Sequence, residues 1–273
     1  REDWFPRELW PEMGELGLHG ITVEEEWGGS GLGYLEHCIA MEEVSRASAS
    51  IGLSYGAHSN LCVNQMRRWG NDDQKKRYLG KLITGEHLGA LAMSEPGAGS
   101  DVVSMKLKAE KKGDRYVLNG SKMWITNGPQ ADTLIIYAKT DPEAGPKGIT
   151  AFLVPTDAPG FSVPYYWWTF NMPTDHGEVE LDNVRVPADA VLGELDRGLE
   201  VGQTFLHENR IRQAASSLGA AQYCIDRAVA YAGERSVFGK PLAVNQAVQW
   251  PLVELQTEAQ MVRLLVYYAA SHL

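Results

Sequence analysis

The spacing of the apolar residues changes twice along the chain. Up to about His87 they recur every three or four positions, as Leu9, Met13 and Leu16 do, which is typical of amphipathic helices. From Leu88 onward, short runs rich in β-branched and aromatic residues alternate with Gly, Asn, Asp and Pro, which predicts strands and turns. After Gly193 the helical spacing returns on one stripe, formed by Val201, Phe205, Ile211, Ala215 and Leu218.

These three segments predict an α+β multidomain fold. We expect an N-terminal helical domain over residues 1–87, a middle antiparallel β-barrel or β-sandwich domain over 88–192, and a C-terminal helical bundle domain over 193–273. The helical spacing is present from the first residues, and the last helical stretch reaches Leu273 without a C-cap signal. We therefore expect the sequence to be part of a longer protein, with an incomplete C-terminal bundle.

Capping and turn residues refine some of these boundaries. Asn71, with Gln74 three positions later, predicts a capping box, and Gly85 predicts the end of the same helix. Within the β segment Asn119 and Gly120 suit a type I′ turn, so "LNGSK" is predicted to be a tight hairpin.

The composition disfavours several classes of protein. Apolar residues make up 44% of the chain, and the formal net charge of −10 argues against nucleic acid or an anionic membrane as the main partner. The three cysteines are far apart in the sequence, which predicts buried free thiols in a reducing compartment. The sequence has no cluster of Cys and His residues, so we expect no structural metal. The sequence has no apolar run of membrane-spanning length, and its first residues do not read as a targeting segment.

The stretch "ALAMSEPGAGSDV", residues 90–102, lies where the helical pattern gives way to the β pattern. Its small residues, with the polar Ser94, Ser100 and Asp101, suit a loop that presents backbone N–H groups and hydroxyls to a planar or phosphorylated ligand. An ordinary turn held by Ser and Asx caps explains the composition equally well. The residues alone leave both interpretations open.

The stretch "KMWITNG", residues 122–128, places Trp124 and Thr126 on one face of a predicted strand. A wide aromatic face beside a hydroxyl suits a flat heteroaromatic ring with hydrogen-bonding atoms. A tryptophan in the core of the β domain is the alternative explanation, and taken alone it is the favoured one.

The stretch "ERSVFGKPLAVNQ", residues 234–246, gathers Arg235, Phe238 and Gln246 around a Gly-Lys-Pro turn. A guanidinium in this position can bind a phosphate through two parallel N–H groups. A surface arginine without a ligand is the alternative.

As a set, these stretches resemble the acyl-CoA dehydrogenase family of flavin enzymes. The resemblance is carried by "MSEPGAGSDV", "KMWITNG", "DNVRVPADAVLG", "RGLEVG" and "ERSVFGKPL…NQ", in this order, and covers essentially the whole chain. From about residue 20 to residue 152 it is closest to the isovaleryl-CoA branch, through "GGSGLGYLEH" and "GLSYGAHSNLC".

The resemblance implies an FAD site and an acyl-CoA site. Residues 90–102 would line the flavin and residues 122–128 would cover its other side, with the Thr126 hydroxyl near the reactive N5. Residues 234–246 would reach the FAD of a neighbouring subunit, which implies a homo-oligomer, typically a tetramer. The implied cofactor residues are Leu91, Met93, Ser94, Ser100, Trp124, Ile125, Thr126, Arg235, Phe238 and Gln246. The implied substrate residues are Ser100, Asn209 and Arg210.

The reaction that the resemblance implies is α,β-dehydrogenation of an acyl-CoA, with a short or branched chain favoured, as in fatty acid or branched-chain amino acid catabolism. A carboxylate removes the α-proton, and the β-hydrogen leaves as hydride to the flavin. Electrons would then pass to an electron-transferring flavoprotein. The implied location is the bacterial cytoplasm or the mitochondrial matrix.

The catalytic base is the point at which the chain departs from the isovaleryl-CoA branch. That branch has a glutamate directly before the arginine of this helix, and the position here is Asn209, whose amide is not basic. Glu208 lies one residue earlier, about 100° around the helix, and the apolar stripe predicts that it points inward. Arg212, four residues later, offers it an ion pair instead. We expect the base to come from a C-terminal segment beyond this sequence, with Glu208 as the alternative.

Other functions fit the same residues. An acyl-CoA oxidase or a nitroalkane oxidase-like flavoenzyme would differ in the oxygen reactivity of its reduced flavin. A catalytically inactive binding or assembly protein that has lost its base would differ in that acyl-CoA leaves its flavin oxidised.

Overall fold

A computed structural model describes residues 5–167, 169 and 176–273. In these ranges a helical N-terminal region precedes a β-sheet region and a second helical region, so the predicted α+β fold class is confirmed. The helices are α1 (Leu9–Glu15), α2 (Tyr34–Ala47), α3 (Ala49–Gly56), α4 (Asn64–Trp69), α5 (Asp72–Ile83), α6 (Gly198–Glu234) and α7 (Gln246–Ala270).

Most strands lie between α5 and α6. They are β1 (Gly89–Ala92), β2 (Lys108–Lys112), β3 (Arg115–Thr126), β4 (Thr133–Lys139), β5 (Ile149–Pro155), β6 (Phe161–Tyr166), β7 (His176–Pro187) and β8 (Val191–Leu192). They form one sheet in the order β6-β7-β3-β2-β4-β5-β8, with β1 paired to β4. A separate hairpin follows α6, made of β9 (Ser236–Val237) and β10 (Lys240–Pro241).

The sheet is mixed, which corrects the prediction of an antiparallel domain. β4 pairs in parallel with β1 along its length and with β2 at one position, while the other pairs in the sheet are antiparallel. A parallel pair needs a long crossover, and the chain between β1 and β4 supplies it. The pairings among the described strands run as an open path from β6 to β8, so a closed barrel is not shown.

The predicted hairpin at Asn119-Gly120 is wrong, because β3 runs straight through it. Gly120 has φ +137° and lies at a register shift against β7. A Cβ on this glycine would come within 2.9 Å of the Leu107 Cα, so glycine is required here for close backbone approach. The actual turn between β2 and β3 is formed by Gly113 and Asp114, with Gly113 at φ +65°.

The predicted boundaries of α5 are confirmed. The Asn71 side chain accepts the Gln74 N–H at 2.9 Å, and the Gln74 side chain accepts the Asn71 N–H at 3.1 Å, which completes the capping box. The helix ends at Ile83, and Gly85 follows in the left-handed region with φ +74°.

The chain forms two compact units. One consists of Arg1–Leu32 and Ser54–His207, and the other of Gly33–Leu53 and Glu208–Leu273. The first unit contains the sheet. One cluster of its buried apolar side chains includes Leu118, Ile136 and Phe152. The division into domains at 87/88 and 192/193 stays a prediction.

The second unit combines a polar core with exposed apolar helix faces. Glu42, which is 2% exposed, accepts hydrogen bonds from Arg263 Nε at 2.8 Å and from the Tyr267 hydroxyl at 2.9 Å. Several large apolar side chains of α7 are exposed, namely Trp250, Val253, Leu255, Met261, Val262, Leu264, Leu265 and Tyr268. Among the described residues, no helix has both the length and the apolar character needed to cross a membrane.

The cysteines depart in part from their predicted burial. Cys38 and Cys62 are buried free thiols, as expected. Cys224, on α6, is exposed, so the prediction of burial is wrong for this cysteine.

Two buried histidines connect the helices of the first unit to the start of the sheet. His58 accepts the Gly89 N–H through Nδ1 at 2.9 Å and donates through Nε2 to the Leu82 carbonyl at 3.0 Å, so the ring is neutral. His19 packs edge-on against it, with ring centroids 4.4 Å apart. Burial lowers the pKa of His19 to about 4; burial and the neighbouring His19 hold the pKa of His58 well below its usual range.

We predict that the protein loses stability as the pH falls below about 6.5, where free histidine begins to protonate. The unfolded chain binds a proton at each ring from that pH downward, whereas folded His19 does so only at about pH 4. The unfolded state therefore gains protons first, and each buried histidine removes up to about 1.4 kcal/mol per pH unit from the free energy of unfolding. Urea unfolding between about pH 7 and pH 5 measures this slope.

Two variants test whether the buried histidines cause the pH dependence of the free energy of unfolding. His19→Gln removes one titrating group and should flatten the pH dependence, whereas His272→Gln, at an exposed position, should leave it unchanged. Equal slopes in the two variants would show that burial of His19 is not the cause.

Candidate functional site

The loop after β1 is a tight turn fastened at its base. Glu95 and Ala98 exchange backbone hydrogen bonds of 2.8 and 3.1 Å, which brings Pro96 and Gly97 to an exposed tip. Leu91 is half-buried against the apolar core, and Met93 is 7% exposed. Ser94 is half-buried and Ser100 is exposed, so both hydroxyls lie near the surface of the first unit.

A bulge in β3 turns Trp124 out of the sheet. The register against β7 shifts between Lys122 and Ile125, and Trp124 has φ +63°, a left-handed backbone conformation that is rare for a large side chain. Ile125 is 2% exposed in the core, while Trp124 is 49% exposed. The interpretation of Trp124 as a core residue is therefore wrong.

One backbone hydrogen bond joins the loop to the bulge. The N–H of Met123 donates to the Ser94 carbonyl at 2.9 Å. Met123 lies within the bulge, directly before Trp124, so this bond places the loop at Ser94 next to the bulge. The structure thus brings together the two stretches that the sequence identified separately.

Aromatic side chains adjoin the exposed Trp124 ring, and a histidine lies near Thr126. The Trp124 and Trp167 ring centroids are 4.3 Å apart, and Tyr165 meets Trp167 edge-on at 4.8 Å. The Thr126 hydroxyl lies 3.3 Å from His176 Nε2. Sequence reasoning missed these neighbours, because β6 and β7 are remote from "KMWITNG" along the chain.

A buried ion pair lies beneath the loop and was also missed. Lys122 Nζ donates to Glu95 Oε1 at 2.8 Å and to the Met93 carbonyl at 3.0 Å, and the Lys122 side chain is fully buried. The Glu95 carboxylate also accepts the N–H groups of Lys106 at 2.6 Å and Leu107 at 3.0 Å. Burial lowers the pKa of Lys122 to about 8, and the Glu95 carboxylate opposes part of that shift, so the ammonium stays charged at neutral pH.

In the second unit, Glu208 points inward as the apolar stripe predicts. It is 2% exposed, and the Tyr34 hydroxyl donates to its backbone carbonyl at 2.8 Å. Cys38 and His37 lie in the same polar cluster: burial raises the pKa of Cys38 to about 12, with a smaller contribution from Glu208, and burial lowers the pKa of His37 to about 3.

Asn209 has a structural contact that the sequence did not reveal. The buried Arg212 donates through Nε to Asn209 Oδ1 at 3.1 Å, and through Nη2 to the same oxygen. Its Nη1 has no hydrogen-bond partner among the described residues. Arg210 is exposed, on the other side of the helix.

The third stretch forms the short hairpin β9–β10, with Phe238 and Gly239 at its tip. Both tip residues have positive φ, +51° and +75°, and the Phe238 side chain is fully exposed. Arg235 and Gln246 at its two ends are also exposed. These side chains are thus available for a contact outside the second unit. In the described parts of the chain, no three His, Cys, Asp or Glu side chains gather as metal ligands.

Family models match three successive parts of the chain. The N-terminal domain of acyl-CoA dehydrogenase matches residues 1–86, the middle domain matches 90–184, and the C-terminal domain matches 196–273. The chain belongs to the acyl-CoA dehydrogenase family, as the sequence motifs predicted.

Individual proteins agree with the family models. The mitochondrial isovaleryl-CoA dehydrogenase of Oryza sativa subsp. japonica is 53% identical over 97% of this chain. The chain spans about two thirds, 66%, of the length of that protein.

Solved structures share the fold. A chain in the structure described as the electron transferring flavoprotein of Acidaminococcus fermentans has a TM-score of 0.95 and 36% identity, over 98% of this chain and 71% of that one. A glutaryl-CoA dehydrogenase from Mycobacterium smegmatis in complex with FADH2 has a TM-score of 0.89 and 32% identity, over 97% and 67%.

We predict that Asn209→Ala lowers the free energy of unfolding by about 1–3 kcal/mol, because the buried Arg212 guanidinium then loses its amide acceptor. Gln213→Ala, an exposed position on the same helix, is the matched control and should change stability by less than about 0.5 kcal/mol. Urea unfolding of both variants measures the difference. An Asn209 effect no larger than the Gln213 effect would contradict the structural role.

Proposed function

We propose that the full-length protein is an FAD-dependent acyl-CoA dehydrogenase that introduces an α,β double bond into a short or branched acyl-CoA. Membership of the family and identity of 53% to an isovaleryl-CoA dehydrogenase support the reaction class and favour a branched substrate. The observation that carries the proposal is the Met123–Ser94 hydrogen bond, because it joins the loop to the residue directly before the exposed Trp124.

The residues at this junction fit a flavin. A half-exposed tryptophan ring offers a face for a flat heteroaromatic ring, and the Thr126 and Ser94 hydroxyls offer hydrogen bonds at its polar edge. Ile125, fixed in the core, holds the strand so that its two neighbours face outward. When bound, the flavin supplies the acceptor for the hydride that leaves the substrate β-carbon.

The residues Leu91, Met93, Ser94, Ser100, Trp124, Ile125 and Thr126 of this chain would bind and orient the isoalloxazine ring and exclude water from one of its faces. Ser100, Asn209 and Arg210 would lie along the acyl-CoA. The exposure of Ser100 and Arg210 supports these roles, whereas the Asn209 amide is already engaged with Arg212.

The base that removes the α-proton is proposed to come from outside residues 1–273. Glu208 is 2% exposed and lies within a polar cluster of the second unit, which favours a structural role for it. A general base must reach the proton it abstracts, directly or through one water.

The assembly that we propose is a homotetramer. Exposed Arg235, Phe238 and Gln246 would reach the FAD bound by another copy, and Arg235 would contact a phosphate. An electron-transferring flavoprotein is the proposed electron acceptor. The mitochondrial matrix or the bacterial cytoplasm is the proposed location.

Anaerobic titration of the full-length protein with isovaleryl-CoA tests the reaction. We expect a yellow protein whose visible flavin absorbance is lost on addition of the thioester, and restored by electron-transferring flavoprotein. Free isovalerate, which lacks the CoA group, is the matched control and should leave the flavin oxidised. A flavin that stays oxidised with short, branched and long acyl-CoA alike would refute the proposal, and rapid reoxidation by oxygen would indicate an oxidase.

We predict that Glu208→Gln in the full-length protein leaves the rate of flavin reduction by acyl-CoA within about tenfold of the unchanged enzyme. General bases contribute about 10²–10⁴-fold, so loss of the base would exceed this limit. Stopped-flow absorbance measures the rate. Glu200→Gln, exposed on the same helix, controls for the charge change, and a collapse specific to Glu208→Gln would identify Glu208 as the base.

A further inference from the structure

Lys122 joins three segments of the first unit through one buried ammonium group. Its Nζ atom lies 2.8 Å from Glu95 Oε1, 3.0 Å from the Met93 carbonyl oxygen and 3.8 Å from Met105 Sδ. An ammonium has three N–H donors, and each of them has an acceptor here. The Lys122 side chain is fully buried, so its three N–H groups are directed to protein acceptors.

Glu95 is equally well satisfied. One carboxylate oxygen accepts the Lys106 N–H, and the other accepts both the Leu107 N–H and the Lys122 ammonium. A buried ion pair is tolerated when its remaining hydrogen-bonding groups are filled, as they are here. Such pairs are nevertheless often no more stable than apolar side chains of the same volume, so stability alone does not explain this one.

The contact with the Met93 carbonyl fixes the peptide unit between Met93 and Ser94. In a trans peptide the N–H points opposite to the C=O, so the Ser94 N–H is directed away from Lys122. Hydrogen bonding of the carbonyl to a cation polarises the peptide and makes its N–H a stronger donor. The next carbonyl, that of Ser94, is held by the Met123 N–H at 2.9 Å.

We propose that Lys122, counterbalanced by Glu95, is a positioning residue that orients and polarises the Met93–Ser94 peptide toward the flavin and thereby raises the reduction potential of the bound flavin. This inference rests on the proposed function, because it assumes a flavin at that peptide. Reduced flavin carries more electron density than oxidised flavin, so a stronger N–H donor and a positive charge behind it favour the reduced form. Both groups belong to the loop and bulge that face this site.

The two charges predict effects of opposite sign. Lys122→Met removes the cation and leaves the carboxylate, so the ratio of reduced to oxidised flavin at a fixed potential should fall about tenfold, which is about 30 mV for a two-electron couple. Glu95→Gln leaves the ammonium without its counter-charge, so the same ratio should rise at a pH low enough to keep Lys122 protonated. Loss of Glu95 also lowers the pKa of Lys122, so this rise should disappear at higher pH, where the amine is neutral. A merely structural disturbance of the loop would move both variants in one direction.

The experiment uses the full-length holoenzyme and equilibrates its FAD with redox dyes, without acyl-CoA. Lys112→Met is the matched control, because Lys112 is exposed on the adjacent strand with Glu110 at 3.5 Å, and it should leave the ratio unchanged. The double variant Lys122→Met with Glu95→Gln leaves no unpaired buried charge, so it is expected to fold where a single variant does not. It should lower the ratio, since the Met93 carbonyl has lost its cation.

Four outcomes separate the two proposals. Equal ratios in the unchanged protein and in the folded Lys122 variants would overturn the role of Lys122, as would shifts of the same sign in both single variants at a pH that keeps Lys122 protonated. A protein with opposite shifts whose flavin is not reduced by any acyl-CoA would retain the role of Lys122 and refute the dehydrogenase activity. A full-length protein that binds no FAD would refute both.

Discussion

The carbonyl oxygens of Met93 and Ser94 are held by two consecutive residues of β3, the first by the Lys122 ammonium and the second by the Met123 N–H. Met123 lies within the bulge of β3, and the same bulge lets Trp124 leave the sheet while Ile125 stays in the core. The loop, its anchor and the exposed aromatic face therefore share one local interruption of the sheet.

Local signals in the sequence predicted local structure well. The capping box at Asn71 and the stop at Gly85 were confirmed, because both depend on residues within a few positions of each other. The inward direction of Glu208 followed from helical periodicity in the same way. The order of helical and β segments followed from spacing alone.

Features that depend on contacts between residues far apart in the sequence were not predicted. Asn119-Gly120 has the composition of a hairpin, but Gly120 is required because the Leu107 backbone passes against it. The parallel pairing of β1 with β4 depends on where the intervening chain returns, which no short pattern encodes. Lys122 and Glu95 lie inside two stretches that the sequence singled out, yet charged residues are read as exposed unless their burial is known.

The residues from 122 to 126 of β3 have different structural roles. Lys122 and the Met123 N–H hold the backbone of the loop, Ile125 fills the core, and the Trp124 ring is exposed. Evolution is thus free to exchange the exposed side chain, and with it the chemistry presented to a ligand, without disturbing the groups that hold the frame. Because of this one β-bulge, the side chain available to a ligand and the groups that hold the loop occupy different positions of the strand. The two sets of residues can therefore vary independently.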